Sequence, residues 1–206
     1  MPRGRPPAHT REQVVAAAIK VADAEGLEAL TMRRLAAELG AGVMSLYTYV
    51  KDKDDLVDQM MEQVSALPPG PATLLDLARQ QRTLMLSHPW MLSALSNRSL
   101  TGPNMLGYLE RGLAALAGEP LPGAAKMEIL ALLTGFVASY VANELAQARA
   151  GVTTSARVEA HVAQMRAALE TGAYPQLAEV LAEGGMTEPP HFDRIATRMI
   201  DGLVRG

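Results

Sequence analysis

Apolar residues recur at the three- and four-residue spacing of a helix in one segment after another of this chain, and nowhere in its 206 residues do they alternate with the two-residue period of a half-buried strand. That pattern predicts an all-α fold. The apolar set agrees with it: 34 Ala and 28 Leu, good helix formers, outnumber 14 Val and 4 Ile, whose branched Cβ suits strands. At about 100–200 residues per domain the length allows one domain or two. No internal repeat or low-complexity tract is present.

Caps and breakers divide the pattern into segments. Thr10 is placed to cap a first helix in which Val14, Val15, Ala18, Ile19 and Ala22 share a face, and Gly26 ends it. Thr31 caps a short second helix, Met32–Leu39, broken by Gly40-Ala-Gly42. A third short helix is expected from about 43 to 50, and a fourth from Asp54 to about Ala66, stopping before Pro68-Pro-Gly-Pro71. The proline-rich stretch divides residues 1–66 from 67–206. Beyond it, helices are expected at 74–87, 104–117, 124–150, 155–171, 176–183 and 192–204, all but the last followed by Gly, Pro or both.

The net charge of −3 is unevenly spread. Residues 1–53 hold eight Lys/Arg against six Asp/Glu, and residues 54–206 hold eleven against sixteen. A polyanionic partner would therefore meet the front of the chain.

Helices two and three carry the functional signal. A helix-turn-helix needs a small residue where its helices cross, a glycine at the turn and an apolar anchor on the second helix; Ala36, Gly40 and Leu46 supply these over residues 31–50. Leu46 and Val50 tether the third helix, which leaves Val43, Met44, Ser45, Tyr47, Thr48 and Tyr49 on its other faces. Arg33 and Arg34 are expected to project from the start of the second helix, with Lys53 just past the third. Thr31 and the amides after it are expected to form a backbone clamp for a phosphate.

The run Gly-Leu-Glu-Ala-Leu-Thr-Met-Arg-Arg-Leu-Ala-Ala-Glu-Leu-Gly40, followed by Ser45-Leu-Tyr-Thr-Tyr-Val-Lys-Asp-Lys-Asp-Asp-Leu56, closely resembles the DNA-binding domain of TetR-family regulators. The resemblance covers most of residues 10–60, about a quarter of the chain. It implies a three-helix head, joined by a fourth helix to a larger helical domain for effector binding and dimerisation. It further implies that Arg33, Val43, Met44 and Ser45 face base edges while Tyr47, Tyr49 and Lys53 contact phosphates. The chain departs from the family where Gly42 stands in place of a Ser or Thr cap. Val43 and Met44 cannot make bidentate hydrogen bonds, so base preference would lean on Arg33 and on contacts with thymine methyls. The basic leader, Arg3, Arg5 and Arg11, either reaches DNA as an arm or is a solvated tail.

In the second domain the 124–150 helix has two apolar faces. Ala131, Gly135, Ala138, Ala142 and Ala146 form a stripe of small side chains; Ile129, Leu133, Phe136, Tyr140, Asn143 and Gln147 line the opposite face. Either the small face meets a second subunit while the large face looks into a cavity, or both pack within one subunit. Residues 192–204 carry a stripe, Phe192, Ile195, Ala196, Met199 and Leu203, that can pack along the long helix; doubled by a two-fold axis, the pair makes a four-helix bundle. A homodimer through about 124–150 and 191–204 is therefore expected, on a palindromic double-stranded DNA operator. Six of the eight aromatics fall in this domain, among pliable methionines. An effector pocket of Met85, Trp90, Tyr108, Phe136 and Tyr140 is expected, with Asn143 or His161 as its polar handle. By resemblance, a small molecule there releases the operator; an activator and an effector-free regulator remain alternatives.

Other classes find little support. With no cysteine there is no disulfide, no Cys-based zinc site and no thiol nucleophile. The one Glu-x-x-His spacing, Glu188-Pro-Pro-His191, holds two prolines and cannot present two ligands on one helical face. No phosphate-binding glycine loop and no Gly-x-Ser-x-Gly elbow occur, so neither an enzyme nor a cofactor or metal is expected. The Met1-Pro-Arg-Gly-Arg5 start runs into polar His9-Thr-Arg-Glu12, unlike a signal peptide. The longest uncharged stretch, Ile129 to Asn143, falls short of the roughly 20 residues of a membrane span, so a cytoplasmic protein is expected.

Overall fold

Side-chain caps open the helices where the sequence places Thr and Asp. In this computed structural model, which describes residues 9–66, 70, 72–95, 102–150, 163–165, 167–183 and 191–205, Thr10 Oγ1 accepts from Gln13 N while Gln13 Oε1 accepts from Thr10 N. This reciprocal pair starts α1 (Arg11–Glu25). Thr31 Oγ1 accepts from Arg34 N to open α2 (Met32–Leu39). Gly40 closes α2 in the left-handed region at φ 61°, its N–H reaching Ala36 O and Ala37 O.

The third helix is shorter than expected. α3 spans Val43–Leu46, because Ser45 Oγ donates to Gly42 O and Thr48 Oγ1 donates to Ser45 O, and the backbone turns through 47–49. Asp52 Oδ1 accepts from Asp55 N at the start of α4 (Lys53–Val64), and Thr73 with Asp76 opens α5 (Leu74–Ser87). A five-residue helix that the sequence did not announce, α6 (Met91–Leu95), follows the break at His88-Pro89. α7 (Pro103–Ala115), the long α8 (Gly123–Ala150), α9 (Pro175–Ala182) and α10 (Phe192–Arg205) complete the set. Residues 163–165 and 167–170 are also helical, and no strand occurs among the described residues. Arg3, Arg5, His161 and Glu188 lie outside the described residues, as does most of the proline-rich link.

Two apolar cores form. The first gathers Val14, Ala18, Leu30, Leu35, Leu46, Val50, Val57 and Met60 from α1–α4, and Trp90, Met91 and Ala94 complete it from beyond the proline-rich link. The second gathers Leu77, Ala78 and Met85 of α5, Tyr108 of α7, Ile129, Leu130, Leu133, Val137 and Val141 of α8, and Phe192 and Ala196 of α10. Arg82 bridges the second core's rim: its guanidinium meets Glu144 in a two-point ion pair at 2.7 and 2.5 Å and lies 5.3 Å above the Phe192 ring.

By length and composition α8 passes as a membrane span, contrary to expectation: residues Gly123–Arg149 reach a mean hydropathy of 1.5 in their most apolar window. Packing gives a different reason for that apolarity. Ile129, Leu130, Leu133, Val137 and Val141 are buried against α5, α7 and α10, and Leu132, Gly135 and Ala142 remain exposed on the other side.

Candidate functional site

The head's core dictates what its surface offers. Burying Leu35, Ala36, Leu46 and Val50 turns Arg33, Val43, Met44, Ser45, Tyr47 and Thr48 outward, and Met44 is 79% exposed. An apolar side chain so fully in water has no packing role. Thr31 holds the α2 N-terminus beside them. The remaining two expected residues are tethered. Tyr49 is half-buried and its hydroxyl donates to His9 O at 2.9 Å, tying the entry of α1 to the turn after α3; Lys53 Nζ donates to Leu27 O at 3.1 Å.

Arg34 does not project as expected. Its guanidinium donates to Glu25 Oε1 at 2.8 and 3.0 Å and to Glu38 Oε2 at 2.9 Å, and Lys20 joins the same cluster through Glu38. Glu25 and then Glu38 push the Arg34 pKa further up, while Lys20 and then Arg34 hold the Glu38 carboxyl below the usual range. The cluster braces α1 against α2 and leaves Arg33 as the outward cation at the start of α2.

A cavity of about 340 Å³ opens between the two cores. Met61 and Ser65 of α4, Gln81, Leu84 and Met85 of α5, Met91 and Leu95 of α6, Met105, Tyr108 and Leu109 of α7, and Met127, Leu130, Ala131 and Thr134 of α8 line it. No acidic or basic side chain is among them. Burial raises the Tyr108 pKa, so the phenol stays neutral.

Of the six expected pocket residues, Met85 and Tyr108 line this cavity. Trp90 turns the other way, donating its indole N–H to Asp23 Oδ1 at 2.8 Å within the first core. Phe136 and Tyr140 pack on Phe192, at ring-centre distances of 5.8 and 5.0 Å, and Asn143 is exposed. The polar corner consists instead of Gln81, Thr134 and Tyr108. Helical spacing held a signal for the first two: Gln81 interrupts the buried series Leu77, Met85, and Thr134 the series Leu130, Val137, Val141. Among the described residues no cluster of three or more His, Asp or Glu is arranged to hold a metal.

The cavity and the head share walls. Met61 and Met91 belong to the head's core and also line the cavity. His88 Nδ1 and Trp90 Nε1 both lie 2.8 Å from Asp23 Oδ1, fixing the α5–α6 corner to α1. Glu62 of α4 reaches the start of α7, where its Oε1 accepts from Asn104 N at 2.6 Å and its backbone oxygen from Asn104 Nδ2 at 2.7 Å.

An outward-facing helix-turn-helix set against an apolar chamber between the two cores defines a DNA-binding transcriptional regulator. Residues 14–60 match the model of bacterial regulatory proteins of the tetR family, and residues 71–205 match the tetracyclin repressor-like C-terminal domain. The chain belongs to the TetR family. It is 34% identical over 214 residues to the HTH-type transcriptional repressor DrrR1 of Streptomyces coeruleorubidus, covering 98% of this chain and 79% of the relative. An HTH-type transcriptional regulator of Saccharopolyspora erythraea is 33% identical over 209 residues, 96% of this chain and 86% of its own length. Among solved structures, apo ActR from Streptomyces coelicolor superposes with a TM-score of 0.76 at 27% identity over 98% of both chains. ActR in complex with actinorhodin gives the same TM-score and identity over 96% of this chain and 98% of that one.

Proposed function

We propose that this protein is a ligand-responsive repressor. As a homodimer it holds a two-fold symmetric DNA operator, and it lets go when a small apolar molecule fills the inner cavity. The observation that carries this reading is the shared wall: Met61 and Met91 cannot yield to a ligand without disturbing the core that orients α2 and α3. DrrR1 is named a repressor, and ActR has been solved with a small molecule, which supports extending both properties to this chain.

On DNA, Arg33 reads a base edge, and Val43, Met44 and Ser45 lie against bases, the first two through thymine methyls. Tyr47, Tyr49, Lys53 and the α2 N-terminus at Thr31 hold the backbone, with Arg3 and Arg5 as an arm. Two heads must enter major grooves about 34–36 Å apart, which requires a dimer. The exposed small-residue face of α8, where Leu132 is 52% exposed, together with α10, supports an interface there.

Selection of bound DNA from a random pool tests the reading, with a palindrome as the expected outcome. Arg33→Ala should relax base preference at one position per half-site, whereas Tyr47→Phe and Lys53→Ala should weaken all sequences alike, the latter also lowering the salt slope by about 1. A monomer at micromolar concentration in sedimentation, or unchanged affinity in all three variants, refutes it.

A further inference from the structure

We infer that the cavity selects a neutral, largely apolar ligand that donates a hydrogen bond from a hydroxyl or N–H group to the Gln81 carbonyl oxygen. This inference rests on the cavity's role as the effector site. It comes from counting hydrogens. Thr134 Oγ1 owns one hydrogen and gives it to Leu130 O at 3.0 Å. Its remaining contacts, with Gln81 Nε2 at 3.2 Å and Tyr108 Oη at 3.1 Å, must then be accepted by Thr134, so Tyr108 spends its hydrogen there. Reversing the Gln81 amide would set its oxygen against a hydroxyl with no hydrogen to offer.

One capacity is left over, and it is an acceptor: the Tyr108 oxygen already pairs with the Gln81 side chain as well as with Thr134, whereas Gln81 Oε1 is buried with no hydrogen-bond partner among the described residues. An unpaired buried acceptor is costly, and a ligand donor removes that cost. An acceptor-only ligand group would instead face another acceptor. A carboxylate fares worse still, because no Lys, Arg or His is among the described residues that line the cavity. Ser65, the other polar lining residue, stands on α4 and its rotatable hydroxyl serves donor or acceptor alike.

Three probes on one skeleton test this: phenanthrol, methylphenanthrene and phenanthrenecarboxylate, substituted at the same ring position. Binding to the full-length protein is measured by calorimetry. Phenanthrol should bind about tenfold more tightly than methylphenanthrene, and the carboxylate more weakly than both. In Gln81→Met, checked for a wild-type circular dichroism spectrum, the preference for phenanthrol should shrink to about twofold or less, with methylphenanthrene binding at least as well as before. Equal binding of phenanthrol and methylphenanthrene to the wild-type protein, or a full preference surviving in Gln81→Met, overturns the inference alone. Failure of all three probes to bind the wild-type protein overturns the cavity's role as a receptor and the inference with it.

Discussion

Replacing Glu62 by Ala removes a cap that α4 supplies to an amide 42 residues further along the chain. α7 has little capping chemistry of its own: its N-cap is Gly102, with no side chain, and Pro103 follows with no N–H. Leu106 N donates to Gly102 O, so the free amides of the first turn include Asn104 N, which Glu62 Oε1 meets at 2.6 Å. The bond from Asn104 Nδ2 to the Glu62 backbone oxygen survives the substitution. Loss of an N-cap costs about 1 kcal/mol and loss of a hydrogen bond to a charged group about 1.5–3 kcal/mol, so for this half-buried site about 2 kcal/mol is expected. At about 2–4 °C per kcal/mol for a chain of this size, Tm should fall by about 4–8 °C, and Glu62→Gln, which keeps an acceptor, should lose about half as much. A Cβ at Gly102 would lie 2.5 Å from the Glu62 carboxyl carbon, so Gly102→Ala should also destabilise the protein, but by much less when Glu62 is already Ala. Circular dichroism melts of the four combinations at one protein concentration measure this coupling. A Glu62→Ala melt within about a degree of wild type, or strictly additive losses, refutes the capping role.

Two further outcomes follow from packing and charge. A Cβ on Gly112 would lie 2.5 Å from a terminal carbon of Leu130, which borders the cavity; Gly112→Ala should cost little stability, because Leu130 can turn into that space, yet should weaken phenanthrol binding in calorimetry. An unchanged affinity would show that Leu130 yields elsewhere. The Asp55 carboxyl is held below the usual range chiefly by the Lys51 N–H, at 2.7 Å. A depressed folded-state pKa stabilises above the ordinary value of about 3.9 and loses that contribution as pH falls through the folded value. The stability gap between wild type and Asp55→Asn in urea titrations should therefore be widest near neutrality and narrow below about pH 4; a gap independent of pH would refute the assignment.

Local chemistry explains which elements were legible in the sequence. α2 and α5 begin and end as read, because each has a hydroxyl cap at one end and a clear breaker at the other. α3 was read too long: apolar spacing continues to Val50, but Ser45 and Thr48 spend their hydroxyls on nearby carbonyls and the helix stops at Leu46. α6 is only five residues long and has no period to detect. The outward set on α2 and α3 was legible because the anchors Leu35, Leu46 and Val50 determine what must face away. Arg34 was not, since its partner Glu25 lies nine positions earlier, on another helix. In the cavity, aromatic content drew attention to Phe136 and Tyr140, whereas Phe192, more than fifty residues away in sequence, claims both rings. Gln81 and Thr134 were present as polar breaks in apolar stripes, a pattern indistinguishable from surface polarity until the facing helices are known.

Trp90, Met91 and Ala94 have a consequence for how such proteins can be recombined. They lie beyond the proline-rich link yet fill the head's core, and Trp90 is anchored by Asp23 inside α1. A chimera spliced at Pro68, pairing this head with a relative's receptor domain, would inherit a foreign plug for a socket shaped by these three side chains. A graft that carries residues 88–95 along with the head keeps plug and socket matched, so the unit of exchange is discontinuous in the chain.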